Sequence, residues 1–264
     1  MDVMDKFYIR SNSIEVAHGF TTRLGGVSTG PAASMNLSCH RDPNPANVPT
    51  NFQVLGQLIG FSPNNLVLAN QTHSKIIRMV TKEDHISFDS NDYPECDALL
   101  TRDPGTALCV FSADCVPILL WDHLTGAVGA VHAGWRGVSK KTAYHTIMAM
   151  EKFFRSIPSS IHAVIGPSLC ADCFETDEDV PDALFRTYGK EISRYITRDR
   201  NGKFHPDLKA INAYALRRAG VYRIEILPDC TKCQPNLYFS HRGQGEERGT
   251  QGAIILCESD TVWY

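Results

Sequence analysis

Eight short apolar runs, none longer than six residues, punctuate the chain at 66–69, 76–80, 108–111, 116–121, 127–132, 162–165, 222–227 and 253–257. Gly, Pro, Asn and Asp bound them, so each reads as a strand closed by turn chemistry. Helical periodicity falls between only some of these runs. Ala143, Ile147, Met150 and Phe154 recur at the spacing of one helix face and predict an amphipathic helix over 138–155. A second helix is expected over 206–219, opened by Pro206 and stopped at Gly220, and a third over 179–188. Many strands with helices gathered in the second half predict an α+β fold, a single domain over 1–264 of layered mixed sheets and helices. The lack of regular strand–helix alternation argues against a barrel or a simple doubly wound sheet.

At 264 residues and 43% hydrophobic content the chain can bury a substantial core. No repeat, low-complexity tract or long linker divides it. The segment 25–49 is rich in Gly, Ser, Asn and Pro, yet Met35, Leu37 and Val48 interrupt it, so it is expected to be an ordered, loop-rich segment packed on the domain. A formal charge of -3 offers no basic field to a nucleic-acid backbone. The first residues are acidic where a secretory signal would be basic, and no apolar run approaches the roughly 20 residues of a membrane span. Nine cysteines, an odd number, read as reduced thiols rather than a disulfide framework, which places the protein in the cytoplasm.

Three polar interruptions of apolar segments carry chemistry: "NQTHS" with His73, "SADC" with Asp114 and Cys115, and "VHAGWRG" with His132. Each stands at an expected strand end or between two strands, where a side chain can be held rigidly toward a cleft. Two imidazoles and a thiolate form a zinc-type ligand set that leaves one position open. Their wide separation means that no local spacing supports the set. By spacing, "CADC" (Cys170, Cys173) and "CTKC" (Cys230, Cys233) make a pair of CxxC motifs compatible with structural zinc, or else independent thiols in two turns. "GWRGVSKKTAY" reads as a Gly-bounded turn feeding a helix, where backbone N–H groups and the Arg136 fork could receive an oxyanion. "FTTRLGGVSTG" brings a second Gly-rich loop with Arg23, without the Lys and spacing of a phosphate-binding P-loop.

Taken in order, "FTTRLGGVS", "SMNLSCHRD", "NQTHS", "DALLT", "SADCVPILL", "VHAGWRG", "IGPSLCADCFE" and "YFSHRG" resemble the bacterial YfiH-like family, also called the laccase-domain or polyphenol-oxidoreductase family. The resemblance runs from about Phe20 to Ile255 and departs from the family at Asn51-Phe52 and at Ser240-His241-Arg242-Gly243. It implies one α+β domain and a two-His, one-Cys metal site at His73, Cys115 and His132, which would also be the catalytic residues. It lowers the weight of the four CxxC cysteines as the metal site. The implied activity is phosphorolysis of purine nucleosides (adenosine, inosine, guanosine, 5'-methylthioadenosine) with inorganic phosphate as co-substrate, accompanied by adenosine deamination. Arg23, Arg136 and Arg242 are then the candidates to bind phosphate. The resemblance also carries two alternatives, a copper-dependent polyphenol oxidoreductase and an editing factor for peptidoglycan precursors. Ten scattered histidines without a paired HxH motif favour zinc over a multi-copper centre.

Overall fold

The computed structural model describes residues 6–86 and 93–258. In chain order the strands are β1 (Tyr8–Ile9), β2 (His18–Thr21), β3 (Leu66–Leu68), β4 (Ile77–Met79), β5 (Ala98–Thr101), β6 (Ala107–Ser112), β7 (Val116–Asp122), β8 (Val128–Ala133), β9 (Ile161–Ile165), β10 (Ile196–Arg198), β11 (Phe204–Pro206), β12 (Arg223–Ile226) and β13 (Gln251–Leu256). The helices are α1 (Asn47–Ile59), α2 (Trp135–Ser139), α3 (Thr142–Phe154), α4 (Asp179–Tyr188), α5 (Leu208–Arg218) and α6 (His241–Gln244). Five strands form one sheet in the order β1-β2-β13-β6-β3, six form another in the order β12-β9-β7-β8-β5-β4, and β10-β11 is a separate ribbon. Both large sheets mix parallel and antiparallel neighbours. The fold is α+β.

Period-two alternation explains why runs such as "VPILLWD" are apolar throughout. In β7, Leu119 and Trp121 enter the cluster shared with Phe20, Leu108, Val110 and Ala253 of the other sheet. Ile118 and Leu120 face the opposite way, against Ile147, Met150, Ile211 and Leu216 of α3 and α5. On the far side, Leu66, Cys109 and Ile254 meet Phe52, Leu55 and Ile59 of α1. The result is four layers, helix on sheet on sheet on helices, in which the strands of both sheets must be apolar on both faces.

All eight expected strands occur, within one or two residues of their expected ends. Two helix expectations and one loop expectation need adjustment, whereas the helix read over 179–188 is α4. The helix read over 138–155 is two, because Lys141 takes a left-handed backbone (φ 58°) and divides α2 from α3. The helix read over 206–219 begins at Leu208, since the side chain of Asp207 caps the Ala210 N–H at 3.0 Å and Pro206 belongs to β11. The loop-rich reading of 25–49 misses the start of α1, which has no side-chain cap at its N-terminus to announce it. No helix among the described residues is long and apolar enough to cross a membrane, and all nine cysteines are free thiols.

Candidate metal centre between two cavities

Two connections cross from the first sheet to the second at the same end of the sandwich: the one from β3 to β4, carrying His73, and the one from β6 to β7, carrying Ala113, Asp114 and Cys115. β3 and β6 are parallel neighbours, so their C-terminal ends release these loops side by side. β8 ends beside the start of β7, with Val116 paired to Ala133 and Pro117 to His132. His132 is in phase with Val128 and Ala130, which face the space between the sheets. Three residues distant in sequence thus converge where that space opens. The donor atoms of His73, Cys115 and His132 all lie within 4.8 Å of one another.

Cys115 Sγ stands 3.8 Å from His73 Nε2, and the two imidazole rings meet edge to face with centroids 5.0 Å apart. Such proximity demands a missing side chain. A Cβ on Gly134 would fall 2.7 Å from Cys115 Sγ and 3.2 Å from His73 Cδ2, so the glycine after "HA" makes room for the site. His73 (φ 57°) and Asp114 (φ 103°) both hold left-handed backbone, a conformation costing a non-glycine residue on the order of 1–3 kcal/mol that the surrounding contacts must hold in place. Lys140 Nζ donates to the His73 carbonyl at 2.5 Å, and the Ser112 hydroxyl donates to the Cys115 carbonyl at 2.5 Å.

Asp97 was not among the sequence candidates, and it organises the centre. Its buried carboxylate accepts from His132 Nδ1 at 2.8 Å, from the backbone N–H groups of Thr72 (3.3 Å), His73 (3.1 Å) and Ser74 (2.6 Å), and from the Ser74 hydroxyl (2.7 Å). With Nδ1 committed to Asp97, the lone pair of His132 that remains for a ligand is on Nε2. Burial alone would raise the Asp97 carboxyl, but the bonds from His132 and Ser74 bring it down to about 2. Burial likewise works against the Cys115 thiolate, yet the adjoining His132 and His73 imidazoles bring the thiol down to about 6. The His132 imidazole, disfavoured as a cation by burial, is pushed up to about 9 by Cys115 and Asp97. A thiolate, two imidazoles and a carboxylate behind one of them are the donor set of a zinc-type site with an open position, so the residues fit a metal. The signal for Asp97 lay in "DALLT", whose Ala98–Thr101 is β5, hydrogen-bonded to β8.

Two cavities meet at this centre. One of about 420 Å³ is lined by Gln71, Tyr93, Phe111 and Thr250, and one of about 600 Å³ by Trp135, Arg136, Phe174 and Arg242. His73, Cys115 and Arg248 line both, whereas His132 lines the first. Arg136 lies over the Trp135 ring at 4.3 Å and is exposed. Arg242 donates to the Glu175 carbonyl at 2.9 Å and lies 5.3 Å over the Phe174 ring, while its backbone N–H bonds Asp114 Oδ2 at 2.6 Å. Arg23 lines neither cavity. Its guanidinium is held by the Ala33 carbonyl (3.1 and 2.9 Å) and the Pro235 carbonyl (2.9 Å), over the Phe239 ring, so it ties loops together. The helix after "HAGW" spans only Trp135–Ser139. Its few aligned peptides supply little dipole, and the positive charge available to an anion there is that of the arginines. Arg248 went unnoticed in sequence because it sits in the mixed-charge run "GEERG". Its Nε is buried without a partner among the described residues, and burial lowers its pKa.

The sequence matches the family described as multi-copper polyphenol oxidoreductase laccase over residues 17–258. It is 34% identical over 247 residues to a purine nucleoside phosphorylase of Deinococcus radiodurans, covering 94% of this chain and 91% of that protein. It is 31% identical over 249 residues to "Adenosine deaminase RL5" from an unknown prokaryotic organism, covering 90% and 93%. The crystal structure of YlmD from Geobacillus stearothermophilus superposes with a TM-score of 0.92 at 31% identity, covering 98% of each chain.

Proposed function

The chain belongs to the multi-copper polyphenol oxidoreductase laccase family, and from that premise we propose that it is a cytoplasmic purine nucleoside phosphorylase with accompanying adenosine deaminase activity. The observation that carries this reading is the placement of His73 and Cys115 on the boundary of two cavities, one of them bearing Arg136 and Arg242. Both relatives named above act, by their names, on purine nucleosides.

In phosphorolysis the bond from ribose C1' to the purine nitrogen breaks, its electron pair leaving with the base, as a phosphate oxygen bonds C1'. Arg136 and Arg242 hold the phosphate in the larger cavity, where planar guanidinium groups match its oxygens. Trp135 and Phe174 beneath them supply flat apolar wall. Arg23, tied to backbone carbonyls, takes no part in binding phosphate. In deamination water adds at C6 of adenine and ammonia departs. Zinc held by His73, Cys115 and His132 would supply Lewis acidity to that water. Asp97 keeps the His132 tautomer that presents Nε2 to the site. A multi-copper oxidase would need further histidines beside the triad, and the metal-competent clusters among the described residues place none there.

The test is a phosphate titration with adenosine and inosine, following ribose 1-phosphate, free ribose and inosine chromatographically. Base release should require phosphate and yield ribose 1-phosphate, while conversion of adenosine to inosine should continue without phosphate because its nucleophile is water. Arg136→Ala should raise the phosphate requirement or abolish release. Free ribose in phosphate-free buffer would mean hydrolysis instead, and no base release under any condition would overturn the assignment.

A further inference from the structure

The two CxxC motifs, separated by 56 intervening residues, are brought together by the fold. The four sulfurs of Cys170, Cys173, Cys230 and Cys233 all lie within 4.8 Å of one another, and Cys173 Sγ is 3.4 Å from Cys233 Sγ. Tetrahedral coordination by thiolates at about 2.3 Å from zinc separates the sulfurs by roughly 3.8 Å, so little adjustment is needed to close the set around an ion.

The surrounding backbone is arranged as such a site requires. A parallel bridge between Ser168 and Cys230 sets the two turns side by side, with the Thr231 N–H on the Ser168 carbonyl at 3.2 Å. The Cys173 N–H closes on the Cys170 carbonyl at 3.1 Å, folding the first motif into a single tight turn. The Cys170 N–H donates to Cys230 Sγ at 3.3 Å, an amide-to-sulfur bond of the kind that stabilises a ligating thiolate. Four thiolates around a divalent ion leave a charge of −2, and binding releases the thiol protons. Lys209 provides a buried counter-charge: its ammonium donates to the Leu227 and Asp229 carbonyls at 2.8 and 2.7 Å, immediately before Cys230, and its field reaches Cys230 and Cys170.

We propose that Cys170, Cys173, Cys230 and Cys233 bind a structural zinc ion, a closed tetrathiolate site separate from the His73, Cys115 and His132 centre. It staples the connection leaving β9 to the one leaving β12. Both lead into the larger cavity. Cys173 is followed by Phe174 and Glu175, which receive Arg242, and Cys230 by Thr231, whose hydroxyl donates to Asp114 Oδ1 at 2.6 Å. The ion therefore fixes the wall against which Arg242 is placed and the loop that carries Cys115. A disulfide between Cys173 and Cys233 is the competing fate of the same thiols.

The experiment measures metal by mass spectrometry in a Cys115→Ala/His132→Ala variant, which removes the other centre. About one zinc per chain should remain, and adding Cys173→Ser and Cys233→Ser should eliminate it. Absence of zinc from the first variant, or iron in its place, would overturn the proposal. If the variant lacking the cysteines does not fold, two measurements on the first variant decide. Exchange of its zinc for cobalt should give the intense sulfur-to-metal absorption of a tetrathiolate, and the four cysteines should resist alkylation until a chelator is added. Alkylation without chelator, weak cobalt absorption, or a Cys173–Cys233 disulfide in the freshly purified protein would each refute it.

Discussion

Replacing Asp97 with Asn tests whether one carboxylate sets the chemistry of the centre. Oδ1 accepts from the His73 N–H (3.1 Å) and His132 Nδ1 (2.8 Å), and Oδ2 from the Thr72 N–H (3.3 Å), the Ser74 N–H (2.6 Å) and the Ser74 hydroxyl (2.7 Å). An amide keeps the shape but has one accepting atom. The less disruptive orientation leaves its oxygen with the three donors at Oδ2 and turns its NH2 toward His73 and His132. His132 can answer only by taking the other tautomer, with Nδ1 accepting and Nε2 protonated, and that proton occupies the lone pair a metal needs. The His73 N–H is left facing another donor. Hydrogen bonds to a charged acceptor contribute about 1.5–3 kcal/mol each, and with the His132 contact replaced the net loss is about 2–3 kcal/mol. At about 2–4 °C per kcal/mol for a chain near this size, the melting temperature should fall by roughly 4–12 °C. Metal affinity should fall much further in consequence, by about 10–100-fold, the usual cost of losing such a partner. The assay is zinc titration against a competing chelator, run beside thermal melting and nucleoside turnover. Wild-type affinity in a folded Asp97→Asn variant would refute the tautomer argument.

Gly134→Ala places a methyl 2.7 Å from Cys115 Sγ, so metal binding at the His73, Cys115 and His132 centre and turnover should be lost while circular dichroism remains native; zinc retained beyond that held by the four cysteines would show that the site can yield. Leu55→Ala removes a fully buried side chain between α1 and the first sheet and should cost about 2–5 kcal/mol in denaturant unfolding. Asp122, the last residue of β7, is buried, which alone would raise its pKa, yet bonds from Ser156, Ser160, Thr125 and the Leu124 N–H hold it below the ordinary carboxylate value. Its folded pKa therefore lies below its unfolded one, so the stability it contributes is full above the unfolded value of about 4 and is lost as pH falls through the folded value. Asp122→Asn should flatten that acid limb in melting curves, and an unchanged limb would assign it to other carboxylates.

Eight of the thirteen strands, with α3, α4 and α5, were legible in the sequence because each leaves a local mark, and His73, Cys115 and His132 each drew attention singly. Runs buried on both faces are apolar without interruption, helix faces repeat every three or four residues, and a polar group at a strand end breaks an apolar pattern. What depends on contacts between distant segments leaves no such mark. β1, β2, β5, β10, β11, α1 and α6 were missed, β5 because "ALLT" is short and merges with its turn, α1 because it starts uncapped from a loop-rich stretch. Ligand chemistry and resemblance both grouped His73, Cys115 and His132, with no local spacing behind the set; their meeting depends on two loops changing sheets at one end of the sandwich. Asp97 reaches His132 through the pairing of β5 with β8, the Ala33 and Pro235 carbonyls claim the Arg23 guanidinium, and Arg248 stands beside both cavities. The four cysteines make the contrast most directly. Spacing raised them as a zinc set and resemblance set them aside, whereas the parallel bridge between Ser168 and Cys230 brought their sulfurs within 4.8 Å. Local patterning determines which segments become strands and helices, because burial acts residue by residue; which side chains share a site is decided by how those segments cross, a property of the assembled layers.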